Sequence, residues 1–227
     1  MVEFEPILVH RSFGKISRLF RDGVYTEKID GTQLGVGVML VKDGMRGHPD
    51  LDSPAVKLGK YSDGTEYAIY AQSRNRLISP FDDNYSSAAW VHDNAETLAA
   101  DLGPGLHFGE WWGHGIQRNY GQRQKFFSLF NVQKWEPVAE SFKTPNLRTV
   151  PVLSRFTFST AEASRVLTDL AMNGSHAAPG YMNPEGIVVF HPASQSLFKA
   201  TIDNDSRPKS LSQRRRLAVV DGEDLAA

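Results

Sequence analysis

Apolar and β-branched residues recur in short runs along the chain, at Val24 to Lys28, Leu34 to Val41, Tyr67 to Gln72, Leu106 to Trp111, Phe126 to Val132, Val150 to Phe156, Gly186 to Phe190 and Leu197 to Ile202. Runs of this length, punctuated by Gly, Asn, Asp and Pro, predict strands. The Asp43-Gly44 pair supplies a tight-turn signal, and Gly31 lies between the first two runs, so sequential strands there are expected to be antiparallel. Two stretches carry a helical period instead, Ser87 to Leu102 and Ser159 to Asn173. In the second, Ser159 and Glu162 have capping-box spacing and Gly174 is placed to end the helix. Ala163, Val166, Leu167 and Leu170 share one face of it, which should pack on a sheet. Strands dominate, so the expected fold is α+β with largely antiparallel sheets and a few flanking helices. Gly35-Val36-Gly37 lacks the third glycine and following helix of a dinucleotide fingerprint, and no GxxxxGK[ST] loop is present.

Composition narrows this picture. The 227 residues, 41% hydrophobic and 22% charged, suit one domain, read as residues 1–205, followed by a basic then acidic tail over 206–227. No apolar run is long enough to span a bilayer, and the N-terminus lacks a signal-peptide pattern, so no membrane association and a cytoplasmic location are expected. There are no cysteines, which removes disulfides, thiolate zinc sites and cysteine nucleophiles together. Lys and Arg number 25 against 26 Asp and Glu, a net charge of −1, so only local charge can attract a polyanion. The local cluster is Arg207, Lys209, Arg214, Arg215 and Arg216, read either as a solvated tail or as an RNA-binding segment. The histidines, including His107 and His114, fit no compact metal set, and no GxSxG elbow is present.

The chemistry concentrates in Glu27-Lys28-Ile29-Asp30-Gly31. A lysine at a strand end, with a carboxylate two residues on and then a glycine, places an amine beside a turn whose backbone can approach a ligand closely. Alone the tetrapeptide KxDG is also what a charged hairpin end looks like. Its weight comes from the segments arrayed behind it along the chain: Ser73-Arg74-Asn75-Arg76, Phe108-Gly109-Glu110-Trp111, Lys125-Phe126-Phe127-Ser128-Leu129-Phe130, Pro184-Glu185-Gly186-Ile187-Val188-Val189 and Leu197-Phe198-Lys199.

Together, over about Tyr25 to Thr201, these segments resemble the covalent nucleotidyltransferase superfamily of DNA ligases, RNA ligases and capping enzymes, and most closely its RNA ligase family of the second phage type. The resemblance implies a ligase adenylation-domain fold and an ATP- and Mg²⁺-dependent RNA ligase of bacteriophage or microbial type, acting in RNA repair on 5′-phosphate and 3′-hydroxyl ends. It puts covalent AMP attachment on Lys28, whose amine attacks only when neutral, so desolvation and nearby cations must lower its pKa. Glu27, Ile29, Asp30 and Gly31 would surround the nucleotide. Arg74 would grip phosphate, of the nucleotide or of RNA, because a guanidinium can hold two phosphate oxygens. Glu110 would accept the ribose hydroxyls, Phe127 or Phe126 would stack on the purine, Glu185 would bind or orient the metal, and Lys199 would stabilise the α-phosphate.

Two departures modify the expectation. The family's last motif carries two lysines one residue apart, whereas Lys199 is followed by Ala200 and Thr201. Too few residues follow Thr201 for an oligonucleotide-binding barrel, so RNA would be held by the face of the catalytic domain around Arg74, Arg118 and Arg123, by Arg214, Arg215 and Arg216, or by a partner protein. The alternatives are a ligase for DNA or hybrid nicks, and a non-catalytic end-binding protein with a vestigial nucleotide pocket.

Overall fold

The computed structural model describes residues 12–203. Two sheets organise it. The first runs β11 (Ser196–Thr201), β10 (Gly186–His191), β1 (Asp22–Lys28), β9 (Val152–Thr157), all antiparallel. The second runs β3 (Val56–Lys60), β4 (Glu66–Gln72), β2 (Thr32–Leu40), β6 (Gly105–Gly113), β7 (Lys125–Leu129), β8 (Leu147–Thr149), with β5 (Leu77–Ile78) paired to β4. Only the β7–β8 pairing is parallel among the described strands. Helices α1 (Ser87–Asp93), α2 (Ala95–Leu102), α3 (Val132–Trp135) and α4 (Thr160–Asn173) complete the α+β fold.

The period of two along the strands fixes three packed layers. Tyr25, Ile187 and Val189 project from one face of the first sheet onto Val166 and Leu170 of α4. That helix begins where the sequence places it: Ser159 Oγ accepts the Glu162 N–H at 3.1 Å, and Gly174 ends it with φ of 83°. The opposite face contributes Val24 and Val152 to a second cluster, with Trp112 and Phe126 of the other sheet and Tyr120 of the β6–β7 connection, so this cluster cements the two sheets. Trp112 is fully buried there and donates its indole N–H to Ser128 Oγ at 2.8 Å. Truncating such a residue to alanine costs about 3–5 kcal/mol. The outer face of the second sheet buries Leu34, Val36, Trp111 and Phe127 beneath Val91 of α1 and Leu98 of α2.

Four expectations change. The first two strands do not pair: β1 lies between β9 and β10, whereas β2 lies between β4 and β6, because the chain crosses from one sheet to the other at Asp30 and Gly31. Asp43-Gly44 opens a 3₁₀ turn rather than a hairpin. The helical stretch from Ser87 is two helices, broken at Asn94, whose side chain donates to the Trp90 carbonyl. The run from Phe126 stops as a strand at Leu129, because Asn131 caps α3 by accepting the Lys134 N–H and turns Val132 into its first residue. Strands β3, β5 and β8 have no counterpart among the predicted runs. The basic residues from Arg207 to Arg216 and the boundary at 205 lie outside the described residues.

Candidate active site

Lys28 closes β1 on the face away from α4, opposite Gly186 of β10. Its Nζ donates to Glu185 Oε2 at 2.6 Å, and the two side chains are 21% and 4% exposed. At that burial the pair is screened little by water, and the carboxylate aims the amine. Beyond Lys28, a Cβ on Gly31 would come within 2.4 Å of the Trp111 carbonyl oxygen, so only glycine lets the crossing chain lie against β6. The Gly31 N–H then donates to Glu110 Oε1 at 3.0 Å. Gly109 is constrained in the same way, since a Cβ there would meet the Ser128 carbonyl oxygen at 2.4 Å.

These residues open onto a cleft of about 550 Å³. It is lined by Lys28, Asp30, Gly31, Thr32 and Glu110 on the segments around the crossing and β6, and by Arg74 and Asn84 on the segments flanking β5. Arg74 donates from Nε to Gln33 Oε1 at 3.4 Å, and Arg76 is engaged by Asp82 at 2.5 and 2.9 Å. Burial pushes the Glu110 carboxyl up to about 7, against the attraction of Lys28 and the Gly31 N–H, with Glu185 and Asp30 adding repulsion. Glu110 therefore shares its surroundings with two further carboxylates and one amine.

A residue expected from the sequence only as part of an RNA-binding face, with Arg74 and Arg123, instead ties this cluster together. Arg118, in the β6–β7 connection, donates from Nε to Asp30 Oδ2 at 3.3 Å. Its Nη1 donates to the Asn183 carbonyl and side-chain oxygens at 3.0 and 2.8 Å and reaches the Pro184 carbonyl at 3.4 Å. Asp203, just past β11, lies 3.7 Å from its Nη2. One planar guanidinium thus links the turn after Lys28 to the segment that delivers Glu185, a task suited to its fixed fork of donors. Tyr120 supports the same turn by accepting the Asp30 N–H at 2.8 Å, and burial raises its phenol far above the ordinary range.

The structure brings Lys28, Asp30, Gly31, Arg74 and Glu110 to the cleft, with Glu185 on Lys28. It turns three expected residues away. The buried Glu27 carboxylate accepts Ser175 Oγ at 2.6 Å and the His176 and Ala177 N–H groups at 2.8 Å each, because alternation along β1 points it opposite to Lys28. Ile29 is packed between the sheets. Phe127 is a correction: register with Trp111 puts it on the outer face beneath α1, fully buried, so it has no free face for a base. Phe126, paired with Trp112, is on the Glu110 face, but the Arg148 guanidinium lies 3.8 Å over its ring. Lys199 is exposed on β11, in register with Val188 and through it with Thr26, on the sheet face that carries Lys28.

A family model described as RNA ligase matches residues 21–201. No curated protein matches the chain. Among solved structures, the chain is similar to a Naegleria gruberi RNA ligase mutant with ATP and Mn, at 19% identity and a TM-score of 0.51, covering 82% of this chain and 51% of that one. An apo mutant of the same ligase aligns at 20% identity and a TM-score of 0.50, over 81% and 50% of the two chains. At such identity the likeness shows the fold, and the chain spans about half the length of these structures.

Proposed function

The chain belongs to the RNA ligase family, whose model covers residues 21–201, and we propose that it is an ATP-dependent RNA ligase joining a 5′-phosphate to a 3′-hydroxyl through a lysyl-AMP on Lys28. Its α+β architecture of facing antiparallel sheets is the nucleotidyltransferase fold. The observation that carries the reading is the cleft itself, lined both by a lysine amine held by Glu185 and by Arg74. No helix among the described residues is long and apolar enough to cross a membrane.

The Lys28 nitrogen, once it has given up the proton it donates to Glu185, attacks the α-phosphorus of ATP; a P–N bond forms, the P–O bond to pyrophosphate breaks, and pyrophosphate leaves. An oxygen of the RNA 5′-phosphate then attacks the same phosphorus, the P–N bond breaks, and Lys28 regains a proton. Finally the RNA 3′-hydroxyl oxygen, losing its proton to solvent, attacks the 5′-phosphate phosphorus; a P–O bond forms, the P–O bond to AMP breaks, and AMP leaves. Glu110 accepts hydroxyl hydrogen bonds from the ribose while fixing the Gly31 turn, and Arg74 holds phosphate. Lys199 approaches the α-phosphate from the Lys28 face of the first sheet.

A divalent cation fits these residues in one manner. Among the described residues no group of three or more His, Asp or Glu could hold a metal alone. Glu185, with nucleotide phosphates completing the shell, suits Mg²⁺, which keeps waters and takes one or two carboxylates. When bound, such an ion supplies charge stabilisation at the phosphoryl oxygens. The same reading sets the protein in cytoplasmic RNA repair of phage or microbial origin, with RNA also gripped by Arg214, Arg215 and Arg216 or by a partner protein.

The test is incubation with α-labelled ATP or GTP and Mg²⁺, followed by denaturation. The reading expects acid-labile label from ATP, discharged by RNA bearing a 5′-phosphate. No retained label from either nucleotide would overturn it.

A further inference from the structure

We infer that a second cleft, on the reverse face of the second sheet, seats an RNA nucleotide next to the join. It occupies about 450 Å³, bounded by Ser86, Trp90, Trp111, His114, Arg123 and Lys125 among others. The nucleotide cleft and this one lie back to back: Glu110 lines the first and its neighbour Trp111 the second, because successive strand residues face opposite sides. They also share a rim, since Asn84 lines the first and Ser86 the second. A strand crossing that rim would keep its reacting end near Lys28 and place an adjoining nucleotide in the second cleft. The inference rests on the RNA ligase reading above.

Three observations favour a nucleotide there. Trp90 is partly exposed, its ring backed by Trp111 at 5.0 Å and by the edge of Phe127 at 5.8 Å, which makes a supported flat surface for a base. Arg123 is exposed beside it and Lys125 lies at the rim, supplying cations for phosphate against one acidic neighbour, Asp93. The rim is also strained and braced. Tyr85 and Ser86 are consecutive left-handed residues with φ of 58° and 62°, and Asn146 on the cleft wall has φ of 65°. Non-glycine residues in that region persist where their surroundings hold them, and they cluster at ligand sites. Here the Tyr85 carbonyl accepts both the Trp111 indole N–H at 3.0 Å and Lys125 Nζ at 2.9 Å, while the Asp83 carboxylate accepts the Ala88 and Ala89 N–H groups at 2.9 and 3.0 Å.

Fluorescence distinguishes this site, because Trp111, Trp112 and Trp135 are at most 5% exposed and Trp90 is the partly exposed member of the four tryptophans. Titrating single-stranded RNA should quench the wild-type emission, and Trp90→Phe should lose most of that quench. The indole N–H of Trp90 is buried without a hydrogen-bond partner among the described residues, so the phenylalanine forfeits no bond. In a second arm, Arg123→Gln should weaken RNA binding several-fold and reduce the log–log salt slope by about 0.7, one phosphate contact on a single strand. Its adenylate labelling with ATP alone should match the wild type. Normal adenylylation with an unquenched emission, or with unchanged affinity and slope in Arg123→Gln, would overturn the second cleft alone. Absence of adenylate label in the wild type would instead sink the ligase reading.

Discussion

The two walls of the cleft are built differently. On the Lys28 side the polar groups are buried or half-buried and joined to one another: the amine to Glu185, Asp30 and the Glu185 segment to Arg118, Gly31 to Glu110. On the Arg74 side the guanidinium is held, among the described residues, by an exposed hydrogen bond of 3.4 Å to Gln33. Preorganised charge is worth most where bonds are made, whereas a wall that must receive and release a polymer gains from freedom. The difference assigns chemistry to the first wall and substrate handling to the second.

Removing Glu185 should break the contrast most severely. Glu185→Ala frees the amine from its partner and removes the carboxylate suited to metal, so adenylylation and the sealing of pre-adenylylated RNA should both fall by about 10²-fold or more. Normal sealing at ordinary Mg²⁺ would show that Glu185 has no shared role. Arg118 comes next, as a positioning residue. Arg118→Ala should lower the adenylylation rate by about 10–100-fold while leaving the KM for ATP nearly unchanged, and Arg118→Lys should restore little, since an ammonium cannot span Asp30, Asn183 and Pro184 together. A full rescue by lysine would reduce its role to charge. For the opposite wall, Arg74→Ala should cost about 10-fold in binding phosphate and leave the fold intact, consistent with one charge-assisted contact.

The smallest effect is on stability. Burial holds the Glu110 carboxyl at about 7, so the folded protein binds this proton more tightly than the unfolded chain does. Stability from this group is therefore intact below the ordinary carboxylate range and declines as pH rises toward about 7. Glu110→Gln keeps an acceptor for Gly31 without the charge. Its melting temperature should equal the wild type near pH 4 and exceed it by a few degrees above pH 7; a difference independent of pH would contradict the shift.

How much of the molecule is legible in its sequence depends on distance along the chain. The end of β1 at Lys28, the start of β10 at Gly186 and the caps of α4 follow from local pattern and residue chemistry. The family resemblance carried by the ordered motifs implies one site for Lys28, Glu110 and Glu185, and the structure holds Lys28 on Glu185 with Glu110 within their electrostatic reach. What the pattern does not encode is which strands pair, so the turn signal at Gly31 suggests a hairpin where the chain in fact divides β1 and β2 between two sheets. The linking role of Arg118, expected only on an RNA-binding face, escapes for the same reason: its partners are 88 and 65 residues away in sequence, at Asp30 and Asn183. Phe127 fails at a finer level, because an apolar strand with core on both faces gives no sign of which ring faces the cleft. Strands β5 and β8 are only two and three residues long, too short for any periodicity to register.

The most direct test of the central claim is to locate the adenylate. The protein incubated with ATP and Mg²⁺, digested and examined by mass spectrometry under conditions that preserve a phosphoramidate, should carry AMP on the peptide containing Lys28, and Lys28→Ala should fold with an unchanged circular dichroism spectrum and carry none. Adenylate on another lysine, such as Lys125 or Lys199, or wild-type labelling in Lys28→Ala, would contradict it.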